Sequence, residues 1–246
     1  MKIISVKTQK VTKYDTDLFP ILQKYLPVLK ERSIVVITSK IVSVCEGRLV
    51  KIEGIDKKKL IEQEADYYLP PEGNKHNITL TIKRNLLVPT AGIDESNGNG
   101  YFILWPNDPQ KTANEIRVFL QKTYAFKNVG VIITDSKTSP MRWGTTGIAI
   151  VHSGFAALNN YIGKPDIFDR YLHVTKANVL DALAAASVVV MGEGNEQTPL
   201  AVIEDVPFVQ FQNRNPLATE LKELHIPMEN DLYGPILKSV KWLKGK

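Results

Sequence analysis

The residues best placed to do chemistry are acids on loops. Ala91-Gly92-Ile93-Asp94-Glu95-Ser96-Asn97 sets carboxylates among small residues that permit close backbone approach. Thr134-Asp135-Ser136 ends the apolar run Val129 to Ile133, where side chains emerge at the end of a strand. Glu193 follows Gly192, and Glu196 lies three residues further on. Acids on loops at the ends of rigid elements are where binding sites concentrate. Oxygen-only ligand sets suit Mg²⁺ or Mn²⁺, which bridge triphosphate oxygens. The same acids would serve equally well as turn residues and helix caps, so residue type alone leaves both readings open.

The familiar loop signatures are absent. There is no G-x-x-x-x-G-K-[ST], no G-x-G-x-x-G opening a helix, no H-E-x-x-H and no G-x-S-x-G. His76, His152, His173 and His225 share no metal-ligand spacing. A nucleotide, if bound, would need a scaffold that is neither Rossmann nor P-loop.

The elements that must position these acids can be read from periodicity. Val35-Val36-Ile37 and Val129 to Ile133 are β-branched runs and predict buried strands, the second ending at Thr134-Asp135-Ser136. Ile78 to Ile82, Tyr101 to Trp105 and Leu200 to Ile203 are further candidate strands. Leu18 to Leu29 and Lys57 to Tyr68 have helical spacing. Asp108-Pro109 predicts a helix start, followed by the stripe Ala113, Ile116, Phe119, Leu120 and Tyr124. Thr175 is expected to cap a helix running through Val190, apolar on nearly every face and so central, with Gly192 as its stop. The tail from Leu217 onward reads as mainly helical. Strands and helices are intermixed without a clean βαβ rhythm. The expectation is an α/β (α+β mixed) architecture of two intertwined lobes, with residues 1–246 forming a single domain and no sharp linker.

Composition bounds the function classes. With 246 residues and 43% apolar residues the chain can bury a sizeable core, which excludes global disorder. A lone Cys45 cannot form an internal bridge and suits a reducing compartment. No apolar run reaches the length of a membrane span and residues 1–10 have no signal core, so a cytoplasmic location and no membrane partner are expected. The net charge of +5 attracts anions generally. Its lysines are scattered, without aromatic-basic interleaving, so no nucleic-acid partner is expected.

Five blocks in order resemble the coenzyme F-420:L-glutamate ligase family, also called F-420-0:gamma-glutamyl ligase. They are Ile37 to Ser43 with Glu46-Gly47-Arg48, then Ala91 to Asn97, then Leu104 to Pro109. Asp135-Ser136 with Pro140, Arg142 and Gly144 follows, and Ala184-Ala185-Ala186 through Met191-Gly192-Glu193, with Glu196 and Pro199, closes the series. The resemblance implies the F-420 ligase-like fold, a homodimer, and amide-bond formation between L-glutamate and a carboxylate acceptor through an acyl phosphate. It further implies GTP (or ATP) as phosphoryl donor and Mg²⁺ or Mn²⁺, two ions, with K⁺ as a candidate accessory ion. Carried over residue by residue, Asp94, Asp135 and Glu193 become metal carboxylates, with Glu196 the alternative to Glu193. Lys40 and Arg142 become catalytic contacts to phosphate or the anionic acceptor. Ser43, Gly92, Ser96, Asn97 and Ser136 become nucleotide- or substrate-binding residues.

The chain also departs from the family pattern. Thr138-Ser139-Pro140 stands where Gly-Arg-Pro is usual, Val151 where a glycine is common, and Asp181-Ala182 where Asp-Glu is usual. Ser139 to Gly144 and Gly192 to Pro199 resemble the folate gamma-glutamate ligase branch, which points to a folate-type acceptor in place of F-420-0. Two alternatives stay open: a related enzyme with a different amine or acceptor, and a non-catalytic nucleotide- or metal-binding relative.

Overall fold

Runs of β-branched residues that are apolar at every position suit strands buried on both faces, and the computed structural model places them so. It describes residues 1–72 and 74–246. In chain order the elements are β1 (Lys2–Val6), α1 (Phe19–Tyr25), β2 (Ile34–Thr38), α2 (Ser39–Cys45), β3 (Leu49–Lys51), α3 (Lys57–Glu64), β4 (Tyr67–Leu69), β5 (Leu80–Lys83), β6 (Leu86–Pro89) and β7 (Tyr101–Ile103). They continue with α4 (Pro109–Tyr124), β8 (Gly130–Thr138), β9 (Thr145–Ser153), β10 (Leu158–Asn160), β11 (Lys176–Asn178), α5 (Val179–Met191), β12 (Leu200–Glu204), α6 (Ala218–Leu224), α7 (Gly234–Leu237) and β13 (Leu243–Lys244).

The larger sheet has the order β1-β12-β2-β8-β9. Only β2 and β8 run parallel, the other neighbours being antiparallel, so the sheet is mixed and not doubly wound. One face carries Val35, Ile37, Val131 and Ile133 against Leu22, Ile116 and Leu120 from α1 and α4. The other carries Ile34, Val36 and Ile132 against Leu180, Leu183 and Ala184 of α5.

A second sheet, β13-β4-β5-β6, lies beside the pair β3-β7 and a smaller core of Leu60, Ile61, Ala91, Ile93, Phe102 and Leu104. The chain enters the large sheet, leaves it for the β3-β7 pair and strands β4 to β6, returns for β8, β9 and β12 (β10 and β11 pairing only with each other), and leaves again for β13. The two lobes are therefore interleaved in sequence.

Several boundaries differ from the sequence expectation. Asn178, not Thr175, caps α5; its side chain accepts from the Asp181 N–H, while 176–178 are tied into a short ladder with β10. Tyr67 and Tyr68 leave the helix expected at Lys57 to Tyr68 and pair with β5, α3 having ended at Glu64. The face of α5 carrying Val189 is exposed, so this helix is half covered and not central on every side. The tail is only partly helical, because its last residues add a strand to the small sheet.

Most consequential is β8, which runs on through Asp135 and Ser136 to Thr138. Ile133 pairs with Val151 but Thr134 pairs with Ala149, which leaves Ile150 as a bulge residue. Beyond that point the strand faces a cavity, so its residues turn polar although the backbone ladder continues. The loss of apolar character, not of pairing, hid the strand's end.

Candidate active site

The carboxyl ends of the parallel pair β2 and β8 open on a cavity of about 1180 Å³. In mixed and parallel α/β sheets ligands bind at that end of the strands. The far wall is the loop from Pro89 to Tyr101, and one side is closed by Val188 and Met191 at the end of α5 with residues 192–199 that follow it.

Each wall delivers a candidate. Thr38 ends β2 and caps α2, its side chain accepting from the Lys40 N–H, which sets Lys40 at the helix start. The Lys40 Nζ reaches across to Asp94 Oδ2 at 2.6 Å and donates to the backbone and side-chain oxygens of Ser96 at 3.2 and 3.1 Å. Ser96 returns two hydrogen bonds to Asp94 Oδ1, from N–H and from Oγ, both at 2.8 Å. Burial alone would raise the Asp94 pKa, but Lys40 and Ser96 outweigh it and hold the carboxyl below the usual aspartate range.

Asp135 is held differently. Its Oδ2 accepts from the Trp105 indole Nε1 at 2.5 Å and its Oδ1 from the Ser136 N–H at 2.9 Å. Part of the carboxyl opens on the cavity, yet protein encloses it, and that burial, with Asp94 nearby, pushes its pKa up to about 6. Ser136, one residue on, points the other way along the pleat. Its hydroxyl donates to Glu193 Oε1 at 2.6 Å, and the Thr145 hydroxyl donates to the same oxygen at 3.3 Å. Glu196 instead turns back on its own loop to accept the Gly194 N–H at 2.8 Å. Asn97 Nδ2 donates to the Gly194 carbonyl at 3.1 Å and so ties the two loops together.

Lys40, Gly92, Asp94, Asn97, Asp135, Ser136 and Glu193 thus line one cavity, with Ser96 bound to two of them. Ser43 and Arg142 lie outside that lining. Ser43 Oγ is buried in α2 without a hydrogen-bond partner among the described residues. Arg142 is exposed at the tip of the β8–β9 hairpin, its N–H donating to the Ser139 carbonyl. Of the departures, Val151 packs into the core and Ala182 is exposed on α5, so neither shapes the cavity.

Could a divalent ion fit this set? Among the described residues no three acid, histidine or cysteine side chains close into a ready cage. Magnesium-type ions need only one or two carboxylates, because phosphate oxygens and water complete their shell. Two aspartates of oxygen-only character on facing walls, one of them without a salt-bridge partner among the described residues, meet that requirement.

Comparison with known proteins places the whole chain. Residues 5–205 match the family model described as F420-0:Gamma-glutamyl ligase. A protein of Methanococcus maripaludis strain C7 called coenzyme F420:L-glutamate ligase is 35% identical over 208 residues, covering 78% of this chain and 83% of its own length. Proteins with the same description from Methanocaldococcus jannaschii and Methanopyrus kandleri are 32% and 31% identical, covering 83% and 71% of this chain and 86% and 75% of theirs.

This chain belongs to the F420-0:gamma-glutamyl ligase family. It is accordingly a ligase that forms amide bonds. No helix among its described residues is long and apolar enough to cross a membrane.

Sequence reasoning about the ligase missed the residues that hold Asp135 from behind. The sequence gives Trp105 a strand end and Trp105 and Arg48 places in family blocks, but assigns no site role to them or to Glu64 and Lys83. The available signal was a large aromatic directly before Pro106, within a block shared with the family.

Proposed function

We propose that this ligase joins L-glutamate to a carboxylate acceptor by γ-glutamyl-type amide formation, driven by a nucleoside triphosphate and a divalent metal. The observation that carries the proposal is the convergence of Asp94, Asp135, Glu193 and Lys40 on one cavity large enough for a nucleotide and an acceptor together.

An amine does not condense with a carboxylate in water unless the carboxyl is activated. The acceptor carboxylate attacks the γ-phosphorus, the nucleoside diphosphate leaves, and an acyl phosphate forms. The glutamate amine then attacks the acyl carbon, and inorganic phosphate departs as the amine loses its proton. Two anions meet in the first step, so the site has to supply positive charge. A divalent ion held by Asp94 and Asp135 would neutralise charge on the triphosphate oxygens. Lys40, 2.6 Å from Asp94, would act on the same oxygens as a point charge, exchanging its contact with Asp94 for one with phosphate. The Ser136 hydroxyl fixes Glu193 on the cavity rim, and Asn97 holds the opposing loop against it.

The acceptor enters from the side lined by Lys10, Lys13, Tyr14 and Tyr101, where cations and aromatic faces suit an acidic heteroaromatic molecule. The relatives' descriptions favour F420-0, and the Ser139 to Gly144 and Gly192 to Pro199 segments favour a folate.

The test supplies GTP or ATP, Mn²⁺ or Mg²⁺, L-glutamate, and either a folate monoglutamate or F420-0. Mass spectrometry then seeks a gain of one glutamyl unit. We expect a product with one acceptor, and a loss of about 10- to 1000-fold in rate in Asp94→Asn and Asp135→Asn, equivalent to roughly 1.4 to 4 kcal/mol of transition-state stabilisation. No product with either acceptor, from protein that binds nucleotide and metal, would reject this pair of substrates. Rates unchanged in both variants would reject the assigned site.

A further inference from the structure

Asp94 and Asp135 share the cavity but are oriented by opposite means. Asp94 is held by an ammonium, so its charge is already compensated. Asp135 is held by the indole of Trp105, a donor that carries no charge and cannot accept. Trp105 itself is clamped on several sides. It is 1% exposed, and its ring lies over Gly92 so closely that a Cβ there would sit 2.1 Å from Nε1. Arg48 Nε donates to the Trp105 carbonyl at 3.0 Å, and Lys83 Nζ stands 5.5 Å from the ring centroid. Arg48 and Lys83 both end on the Glu64 carboxylate, at 2.8 Å each, so the two clamps share one anchor.

A side chain fixed this firmly can fix its hydrogen-bond partner in turn. From this we infer that Trp105 is a positioning residue for Asp135: its N–H holds the carboxylate on the cavity wall without discharging it, which reserves the negative charge for a divalent cation. A lysine or arginine in the same place would orient Asp135 equally well, but would compete with that cation. Outer partners of metal-binding carboxylates commonly govern affinity by about 10- to 100-fold. The inference rests on Asp135 being a metal carboxylate, as proposed above.

Trp105→Phe removes the N–H and keeps an aromatic ring. Free Mn²⁺, followed by its paramagnetic resonance signal in the presence of GTP, gives the dissociation constant. We expect Trp105→Phe to bind Mn²⁺ about 10- to 100-fold more weakly than the unaltered protein. The Mn²⁺ concentration giving half-maximal rate should rise in parallel, with kcat at saturating Mn²⁺ reduced much less. Melting of the metal-free proteins should differ by only a few degrees. A purely structural tryptophan would lower the melting temperature and leave Mn²⁺ affinity alone.

A second measurement works even if that variant fails to fold. Trp143→Phe combined with Trp242→Phe leaves Trp105 as the sole tryptophan. Its emission should be quenched as Mn²⁺ binds, and the quenching should vanish when Asp135→Asn is added. Equal Mn²⁺ affinity with and without the indole N–H, or Trp105 emission indifferent to saturating Mn²⁺, overturns the positioning role alone. If the unaltered protein takes up no Mn²⁺ with GTP present, the metal assignment falls and the inference falls with it.

Discussion

Glu193 and Glu196 are three residues apart on the same loop, yet they are engaged in different work. Glu193 reaches across to Ser136 on β8, while Glu196 folds back to satisfy the Gly194 N–H. Glu193→Gln should therefore lower kcat/KM by about 10- to 100-fold. Glu196→Gln should leave it within a few-fold and act on loop stability instead; steady-state rates on both variants decide between them. Gly92 offers a second case. Its φ of +70° disfavours any side chain, and a Cβ would strike the Trp105 ring. Gly92→Ala should cost at least about 2 kcal/mol, read from the denaturant midpoint, because the strained backbone and the overlap act together. At this scale the sequence singled out Asp94 and Glu193, because carboxylates near glycines on loops are conspicuous, whereas Asp135 lies within a strand. The sequence could not carry their partners. Nothing in the type or spacing of Trp105, Arg48 or Lys83 tells that they meet behind Asp135, since contacts between residues 19 to 57 positions apart depend on how the sheets pack.

Strands buried on both faces and the α4 start were legible because their signals are local. Asp108 caps α4 with a 3.1 Å bond to the Lys111 N–H, as residue types alone suggested. The β8 bulge was not legible, since it depends on the partner strand. Asp181 shows how the bulge is completed. It sits in the first turn of α5, and its Oδ1 accepts the Ala149 N–H at 3.1 Å beside the bulge, while its Oδ2 accepts from the Asn178 side chain. Asp181→Ala leaves that N–H without its partner and should cost about 1 to 3 kcal/mol of stability. Urea unfolding measures the cost. Because β8 carries Asp135 just past the bulge, nucleotide affinity should weaken in the same variant.

Across the whole molecule, acid sensitivity has an identifiable source. His152 is buried on β9 beside Phe155, and its Nδ1 has no hydrogen-bond partner among the described residues. Burial pushes its pKa down to about 4. The unfolded chain takes up this proton near the ordinary histidine value of about 6.5, whereas the folded chain resists until about 4. Stability is therefore complete above about pH 6.5 and is lost as pH falls toward 4, by up to roughly 3 kcal/mol at 1.36 per unit. Unfolding midpoints at about pH 7 and pH 5 should diverge less in His152→Gln than in the unaltered protein.

The final residues of the chain carry a different consequence. Leu243 and Lys244 pair with Tyr68 and Tyr67 of β4, and the Gly245 and Lys246 N–H groups reach the Asp66 and Glu62 carbonyls. Only glycine can approach there, since a Cβ at Gly245 would lie 1.7 Å from the Ala65 carbonyl oxygen. This short zipper occupies what would otherwise be an open strand edge carrying Tyr67, Tyr68 and Leu69, and Lys244 and Lys246 leave its own outer side charged. Uncovered edges of that kind template addition of strands from other chains. A protease that clips residues 240–246 would thus turn a guarded margin into an adhesive one, and light scattering should record clustering of the trimmed protein well before its large sheet unfolds.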